Sequence, residues 1–334
     1  MTRRGVTVAA AAVATAVTLP LAGLEILFRR GGRRLLDAPR RLPGEGELVP
    51  AIDALGGEVV RLRSRDGVRL AARWLPAETG GTEWQPDPYE AILLLHGWSG
   101  SVAPDIVEYG PFLRRTAGVL ALDFRGHGDS DDAPTTFGLH EVEDVAGALA
   151  WFGERGIRRV ALAGTSMGAI TAIAAVGVLG DGSLASADMD LDAPADVVPP
   201  PRPRIVAIVA DSAAPELVVP VASRLRGPFR RAVAARLFAA AARSLGADPR
   251  ATEPIRMIGL VDPVPLLLIH GEDDDTVPLA DARRLAAAGG PTTEHWVVPG
   301  AGHSGSHVAK TDEYERRVTS ALRTAFVGAR DGSL

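Results

Sequence analysis

Short apolar runs alternate with helical patterns along most of the chain. The apolar runs are typical of strands buried on both faces. They lie at Ala91–Leu95, Gly118–Asp123, Arg159–Ala163, Ile205–Ala210, Pro265–Ile269 and Glu294–Val298. The helical patterns lie at Pro104–Thr116, Leu139–Arg155, Ser166–Leu179, Leu279–Ala288 and Ser306–Phe326. Two further strand-like stretches, Glu58–Ser64 and Val68–Leu75, come first and are joined by a tight turn. The alternation predicts a mostly parallel sheet with helices on both faces.

Two insertions interrupt this alternation within the α/β domain, which is predicted to span residues 58–334. Residues 180–204 are rich in Asp and Pro and lack periodicity, which predicts a mobile loop at the edge of the sheet opposite the carboxyl ends of the strands. Residues 212–262 leave the carboxyl end of a strand, where α/β active sites form, and contain a helical stretch at Leu217–Leu245. We predict that this segment is a short helical lid, with a plain surface insertion as the alternative.

The N-terminal residues 1–34 are predicted to anchor the protein in a membrane, followed by a Pro/Gly-rich linker at 35–57. An apolar run from Gly5 to Leu24 just reaches the about 20 residues that a bilayer span needs. Because this exceeds the ~7–15 residues of a signal h-region, a single uncleaved helix is favoured. A cleaved signal peptide, hence a secreted protein, and a buried helix are the alternatives. Arginines are denser after the run than before it, which favours the cytoplasmic side.

Charge and cysteine content exclude several classes of protein. The net charge of -5 argues against a nucleic-acid partner, because nucleic-acid binders are usually basic. The chain has no cysteine, which removes disulfides, thiol catalysis and thiolate metal sites together.

The strongest chemical signal lies at residues 164–168, which have the sequence Gly-Thr-Ser-Met-Gly. They follow a predicted buried strand and precede a predicted helix. This is the nucleophile-elbow pattern in the strand–turn–helix context that it requires. The glycines remove side chains that would collide with neighbouring backbone, and the helix N-terminus directs free N–H groups toward a developing oxyanion. Ser166 is therefore the predicted nucleophile.

With this elbow, residues 58–326 resemble the α/β-hydrolase superfamily, with its mostly parallel eight-stranded sheet. The His-Gly-Trp sequence at 96–98 and the Asp-Phe-Arg-Gly-His-Gly-Asp-Ser sequence at 123–130 match loops of that family. The resemblance implies that the backbone N–H groups of Trp98 and Met167 form the oxyanion hole. It also implies a structural role for His127. A less specific resemblance is to bacterial membrane-anchored hydrolases of the Bem46-like or serine-aminopeptidase-like group.

The acid of the triad is expected after the strand Pro265–Ile269. The sequence at 270–278 is similar to the family's His-Gly-x-x-Asp-x-x-Val-Pro pattern, and its register selects Asp274. The neighbouring Asp273 and Asp275, and Asp211 at the end of an earlier strand, are alternatives.

The base is expected in a loop after the last strand. His303 follows Gly-Ala-Gly at 300–302, where small residues let the loop bring an imidazole over the serine. His307 is a rival, but it falls at or inside the next helix. The chain order Ser166, Asp274, His303 is the order expected for this fold.

These residues together predict a serine hydrolase that cleaves small-molecule acyl esters or thioesters through an acyl-enzyme. A serine nucleophile argues against the dehalogenases and epoxide hydrolases of this fold, which use aspartate. The histidines show no metal-ligand spacing and no phosphate-binding loop is present, so no metal and no cofactor are implied. A peptidase or amidase on the same triad, and a non-catalytic membrane-tethered binding module, remain alternatives.

Overall fold

The computed structural model describes residues 23–80, 84–181 and 202–332. Its strands are β1 (Glu58–Arg63), β2 (Arg69–Leu75), β3 (Glu90–Leu95), β4 (Gly118–Leu122), β5 (Arg159–Thr165), β6 (Arg204–Asp211), β7 (Leu266–Gly271) and β8 (Thr293–Val298). They form one sheet in the order β1-β2-β4-β3-β5-β6-β7-β8. Strand β2 is antiparallel to both of its neighbours, and every other pair is parallel. The mostly parallel eight-stranded sheet that the sequence predicts is confirmed.

Helices flank the sheet on both faces. They are α1 (residues 23–36), α2 (Val49–Ala54), α3 (Ala103–Leu113), α4 (Glu141–Glu154), α5 (Met167–Leu179), α6 (Val218–Ser223), α7 (Arg230–Leu245), α8 (Pro254–Met257), α9 (Leu279–Ala287), α10 (Ser306–Ala309) and α11 (Thr311–Asp331). Helix α5 is apolar all round, and its side chains are buried from Met167 to Val176. A helix without a polar face must be covered on every side, and α5 lies against β5, β6 and α4.

The two faces of the sheet carry separate hydrophobic cores. One core packs α4 and α5 onto the sheet and includes Phe152 and Ile173. The other packs α3 and α11 onto the opposite face and includes Phe112 and Phe326. Each fully buried side chain of this size contributes about 1.5–3 kcal/mol relative to an exposed one. The central strands β3 and β4 are buried at every position because helices cover both faces.

Two predicted helical stretches are broken in the structure. The prediction of a single helix at Ser306–Phe326 was wrong, because the non-helical backbone of Lys310 (φ -144°, ψ 53°) separates α10 from α11. Helix α11 also continues beyond the predicted end. The stretch Leu217–Leu245 forms α6 and α7, and the break between them contains Gly227 at φ 99° and Pro228.

The segment 35–57, predicted as a linker, contains α2 and a 3-10 turn at Glu45–Leu48. Both pack on the domain. Glu45 is 5% exposed, and its carboxylate accepts hydrogen bonds from the backbone N–H (3.1 Å) and hydroxyl (2.8 Å) of Ser101. Pro39 O accepts the N–H of Gly100 at 2.7 Å. These contacts attach the segment to the loop that follows β3.

Two sequence predictions fall largely outside the described residues. Most of the apolar run in the predicted membrane anchor lies in residues 1–22, and most of the predicted loop 180–204 lies in residues 182–201. Within the described ranges, no helix is both long enough and apolar enough to cross a membrane.

Candidate active site

The nucleophile elbow lies between β5 and α5. Ser166 has φ 49° and ψ -109°, a strained conformation for a residue with a side chain. A Cβ added to Gly164 would lie 2.4 Å from the carbonyl carbon of Gly168, and one added to Gly168 would lie 2.1 Å from Leu95 O. Both positions therefore exclude any larger residue. The N–H of Ser166 donates to Asp211 O at 2.8 Å, which ties the turn to the end of β6.

The structure brings Ser166, His303 and Asp274 together in one hydrogen-bonded chain. Ser166 Oγ lies 2.9 Å from His303 Nε2, and His303 Nδ1 lies 2.8 Å from Asp274 Oδ2. When Nδ1–H donates to the carboxylate, Nε2 carries a lone pair and can accept the serine proton. This is the arrangement of a base oriented by an acid and placed against a nucleophile.

The Asp274 side chain is buried and fixed from two sides. Its Oδ1 accepts the backbone N–H groups of Thr276 (2.9 Å) and Val277 (2.8 Å). Of the four candidate acids, this is the one that the structure places against His303. Asp273 and Asp275 are exposed. His270 packs 3.5 Å from Asp274 Oδ2, and its Nε2–H donates to Val277 O at 2.8 Å.

Asp211, the earlier rival, holds the histidine loop in place. Ser212 Oγ donates to Asp211 Oδ1 at 2.9 Å and accepts the N–H of Ser304 at 3.0 Å. Ser306 Oγ donates to the same carboxylate oxygen at 3.1 Å. Burial raises the pKa of Asp211 to about 6. Since Ser304 is next to His303, this network positions the imidazole, and the isolated serines gave no signal of it in the sequence.

His307, the rival base, points elsewhere. Its Nδ1 lies 2.9 Å from Glu108 Oε1, and its Nε2 lies 3.5 Å from Glu315 Oε1. The hydrogen bond with Glu108 raises the pKa of His307. The ring also stacks on Phe112. These contacts engage both nitrogens of His307 away from Ser166.

The loop after β3 passes directly beside the nucleophile. A Cβ added to Gly97 would lie 3.7 Å from Ser166 Cβ, so the Gly97–Trp98 peptide borders the serine. Met167 opens α5, where the first N–H groups of a helix have no acceptor within the helix. The backbone donors predicted for the oxyanion hole, on Trp98 and Met167, therefore belong to segments that flank Ser166 on two sides.

Two buried histidines shape this loop. His96 Nδ1–H donates to Gly97 O at 2.7 Å, and its Nε2 accepts the N–H of Phe124 at 3.1 Å. His127 Nδ1–H donates to Arg125 O at 2.9 Å, and its Nε2 accepts the N–H of Ser99 at 3.3 Å. Burial lowers the pKa of His96 to about 3 and also lowers that of His127, so both rings are neutral at pH 7. They join the loop after β3 to the loop after β4.

An aromatic row connects the lid segment to the site. The Trp98 ring stacks on Phe137 with centroids 6.4 Å apart, and Phe137 meets Phe238 of α7 edge-on at 5.8 Å. The Arg224 guanidinium, just after α6, lies 5.6 Å from the Trp98 ring centroid. Side chains of the segment 212–262 therefore contact the aromatic residues that lie next to the loop bordering Ser166.

The sequence profile of the α/β hydrolase family matches residues 92–317, which is more than half of the chain. The chain belongs to this family. The hydrolase is 24% identical over 276 residues to an uncharacterized protein, YfhR, of Salmonella typhi, and the match covers 81% of this chain and 80% of that protein.

Among solved structures, the hydrolase resembles the esterase Pf2001 of Pyrococcus furiosus. The TM-score is 0.60 at 21% identity, covering 87% of this chain and 98% of the esterase chain. It also resembles a bacterial membrane phospholipase A, with a TM-score of 0.53 at 17% identity, covering 96% and 97% of the two chains. At these identities the likeness shows the fold alone.

Proposed function

We propose that the protein is a serine hydrolase that cleaves carboxylic esters or thioesters through an acyl-enzyme on Ser166. One observation carries this proposal: Ser166 Oγ, His303 and the buried Asp274 form a continuous hydrogen-bonded chain on a strained elbow. A binding module would have no need for these three groups in this geometry, so the geometry favours catalysis over a non-catalytic role.

In the acylation step, Ser166 Oγ attacks the acyl carbon while its proton passes to His303 Nε2. Asp274 holds Nδ1–H and stabilises the imidazolium that forms. The backbone N–H groups of Trp98 and Met167 stabilise the oxyanion, each typically by roughly 3–4 kcal/mol in the transition state. The bond from the acyl carbon to the leaving oxygen or sulfur then breaks, and His303 returns the proton to that atom.

Deacylation repeats the same roles with water as the nucleophile. Water attacks the acyl-Ser166 ester and gives a proton to His303. The intermediate collapses to a carboxylic acid, and the proton returns to Ser166 Oγ. The site thus needs only residues of this chain and a water molecule for both halves of the cycle.

The aromatic row at Trp98, Phe137 and Phe238 supports a substrate with an apolar acyl group. Such a group gains binding free energy when its apolar surface is buried against aromatic side chains. The esterase named in the structural comparison agrees with this substrate class. We also propose that residues 1–34 anchor the enzyme in a membrane, with the cytoplasmic side favoured by the arginines that follow the apolar run.

A chain-length series tests the activity. We expect the full chain to hydrolyse p-nitrophenyl esters from acetate to laurate and the corresponding thioesters, and the Ser166→Ala variant to hydrolyse none of them. Matched p-nitroanilides separate the peptidase or amidase alternative, since they differ in the leaving group alone. Hydrolysis of the anilides at rates above the esters would overturn the ester assignment.

A further inference from the structure

Charge is strongly segregated in this acidic protein. Two stretches, residues 26–36 and 217–247, together contain ten arginines and no acidic residue, although the whole chain has a net charge of -5. These arginines are Arg29, Arg30, Arg33, Arg34, Arg224, Arg226, Arg230, Arg231, Arg236 and Arg243. The two stretches are almost 200 positions apart in the sequence, so only the fold can combine their charge.

The fold does combine them, because α1 lies directly on α7. A Cβ added to Gly32 of α1 would lie 2.7 Å from the backbone nitrogen of Ala241, so the glycine permits close helix contact. Glu25 pairs with Arg243 at 2.9 Å across the two helices. The Arg236 guanidinium lies 5.6 Å from the Phe28 ring centroid. Residues 23–36 and 224–243 therefore form one surface, which we call the α1–α7 face.

Large apolar side chains project from the α1–α7 face into solvent. Phe229 is 75% exposed, Leu27 is 64% exposed and Ile26 is 51% exposed. Burial of such side chains in an apolar phase is favourable, so leaving them in water is costly. Exposed apolar side chains clustered in this way indicate contact with another apolar phase.

The positive charge of the face is mostly uncompensated within the protein. Glu25 and Asp281 neutralise part of it through their ion pairs with arginines of the face. In the part of the chain that the structure describes, no carboxylate lies within 4.0 Å of five of the exposed guanidinium groups. These belong to Arg30, Arg33, Arg34, Arg226 and Arg230. Their charge is available to an external anion.

We propose that the α1–α7 face binds the surface of an anionic lipid bilayer. The exposed aromatic and aliphatic side chains can insert at the boundary of the acyl chains, and the surrounding arginines can bind the phosphate headgroups. Position along the chain gives a second argument. The apolar run from Gly5 ends at Leu24, inside α1, so a membrane-inserted segment would emerge at this face.

The same helix that forms the face also reaches the site. Phe238 of α7 contacts Phe137, which stacks on Trp98, and Arg224 lies against the Trp98 ring. Docking of the α1–α7 face would therefore hold the lid segment and the serine close to the bilayer. This consequence rests on the proposed hydrolase activity, and it identifies acyl amphiphiles held in the bilayer as the substrate class.

The absence of cysteine allows a direct test on the full chain. A single Phe229→Cys substitution, labelled with an environment-sensitive nitrobenzoxadiazole fluorophore, reports whether the face contacts lipid. The control is Val327→Cys, which is 41% exposed on α11 close to Arg330, a residue bound to Glu90 at the amino end of the central strand β3. We expect the emission of the label at position 229 to shift to the blue in vesicles of phosphatidylglycerol and phosphatidylcholine, and no shift at position 327.

Charge dependence separates docking from simple tethering by the N-terminus. The double variant Arg33→Gln/Arg230→Gln removes two unpaired arginines, and we expect it to weaken the docked state at least about tenfold. Its matched control, Arg155→Gln/Arg158→Gln, removes equal charge near the start of β5 and should leave docking unchanged.

Three outcomes would overturn the proposal: no shift at position 229, an equal shift in pure phosphatidylcholine, or no effect of the double variant. A label that responds instead to an acidic protein but to no vesicle would assign the face to a protein partner. Hydrolysis of p-nitrophenyl acetate, which is soluble in water, should be unchanged in the double variant. Loss of docking and loss of the proposed activity are therefore distinguishable.

Discussion

Replacing Asp274 with Asn tests whether this carboxylate sets the tautomer of His303. Asp274 Oδ1 accepts two backbone N–H groups, and Oδ2 faces His303 Nδ1 at 2.8 Å. An Asn must keep its carbonyl oxygen toward the two N–H donors, because the flipped amide would place its NH2 group against them. The NH2 group then donates to His303 Nδ1, which moves the imidazole proton to Nε2. In that tautomer His303 cannot accept the proton of Ser166.

The magnitude follows from the burial of this side chain. Flipping the amide would leave two buried N–H donors unsatisfied, at about 1–3 kcal/mol each, so the incorrect tautomer persists. Triads locked in that tautomer lose about 10³–10⁴-fold in kcat. The assay is the kcat for p-nitrophenyl butyrate, with circular dichroism to show that the variant is folded.

The neighbouring aspartates provide matched controls. Asp273→Asn and Asp275→Asn change exposed carboxylates that do not contact His303, so we expect their kcat to stay within about twofold of wild type. A folded Asp274→Asn variant that loses less than about tenfold in kcat would refute the assigned acid and its role in setting the tautomer.

Three further predictions concern residues around the site. Asp211→Asn keeps the acceptor for the two serine hydroxyls, so we expect less than about tenfold loss of kcat. Burial raises the pKa of Asp211 from an ordinary 3.8 to about 6 in the folded protein. The folded state therefore binds this proton more tightly than the unfolded state does, so the free energy of unfolding of the wild type falls as pH rises from about 4 to 6. The Tm of Asp211→Asn should therefore rise relative to wild type over that interval, and a pH-independent difference would contradict the assignment. Trp98→Pro deletes one oxyanion donor and should lower kcat about 100-fold or more. Trp98→Ala keeps the backbone N–H and should lower kcat far less. Equal losses of kcat in the two variants would exclude the donor role of this N–H. Glu45→Ala leaves the buried N–H of Ser101 without its acceptor and should destabilise the fold by about 1–3 kcal/mol in urea unfolding, while the exposed Glu47→Ala should not. Equal stability of these two glutamate variants would show that the contact contributes nothing.

The sequence predicts the sheet and the elbow because both depend on local patterns. Buried parallel strands produce short apolar runs, and the sharp turn at Ser166 requires small residues at Gly164 and Gly168, so each leaves a signature within a few positions. The register of residues 270–278 likewise selected Asp274 among adjacent aspartates, and that carboxylate is the one in contact with His303.

Other features depend on contacts between distant residues and leave no local signature. The network of Asp211 joins Ser212 to the loop at Ser304 across more than 90 positions, and isolated serines are too common to indicate it. The break at Lys310 is set by backbone geometry within a continuous helical pattern, so periodicity alone predicted one helix.

The segment 35–57 shows the same limit. Its Pro and Gly content is typical of a linker, yet the carboxylate of Glu45 is buried against Ser101. The close packing of α1 on α7 similarly depends on Gly31 and Gly32, whose small size matters only once Leu237 and Ala241 lie opposite them.

Labelling with a fluorophosphonate probe tests the central claim most directly, because the probe reacts with serines activated by a base. The purified full chain is compared with its Ser166→Ala and His303→Ala variants. The account predicts strong labelling of the wild type, none of Ser166→Ala and a loss of at least about 100-fold in the labelling rate of His303→Ala. Absence of labelling in the folded wild type, or unchanged labelling of either variant, would contradict an activated nucleophile at Ser166.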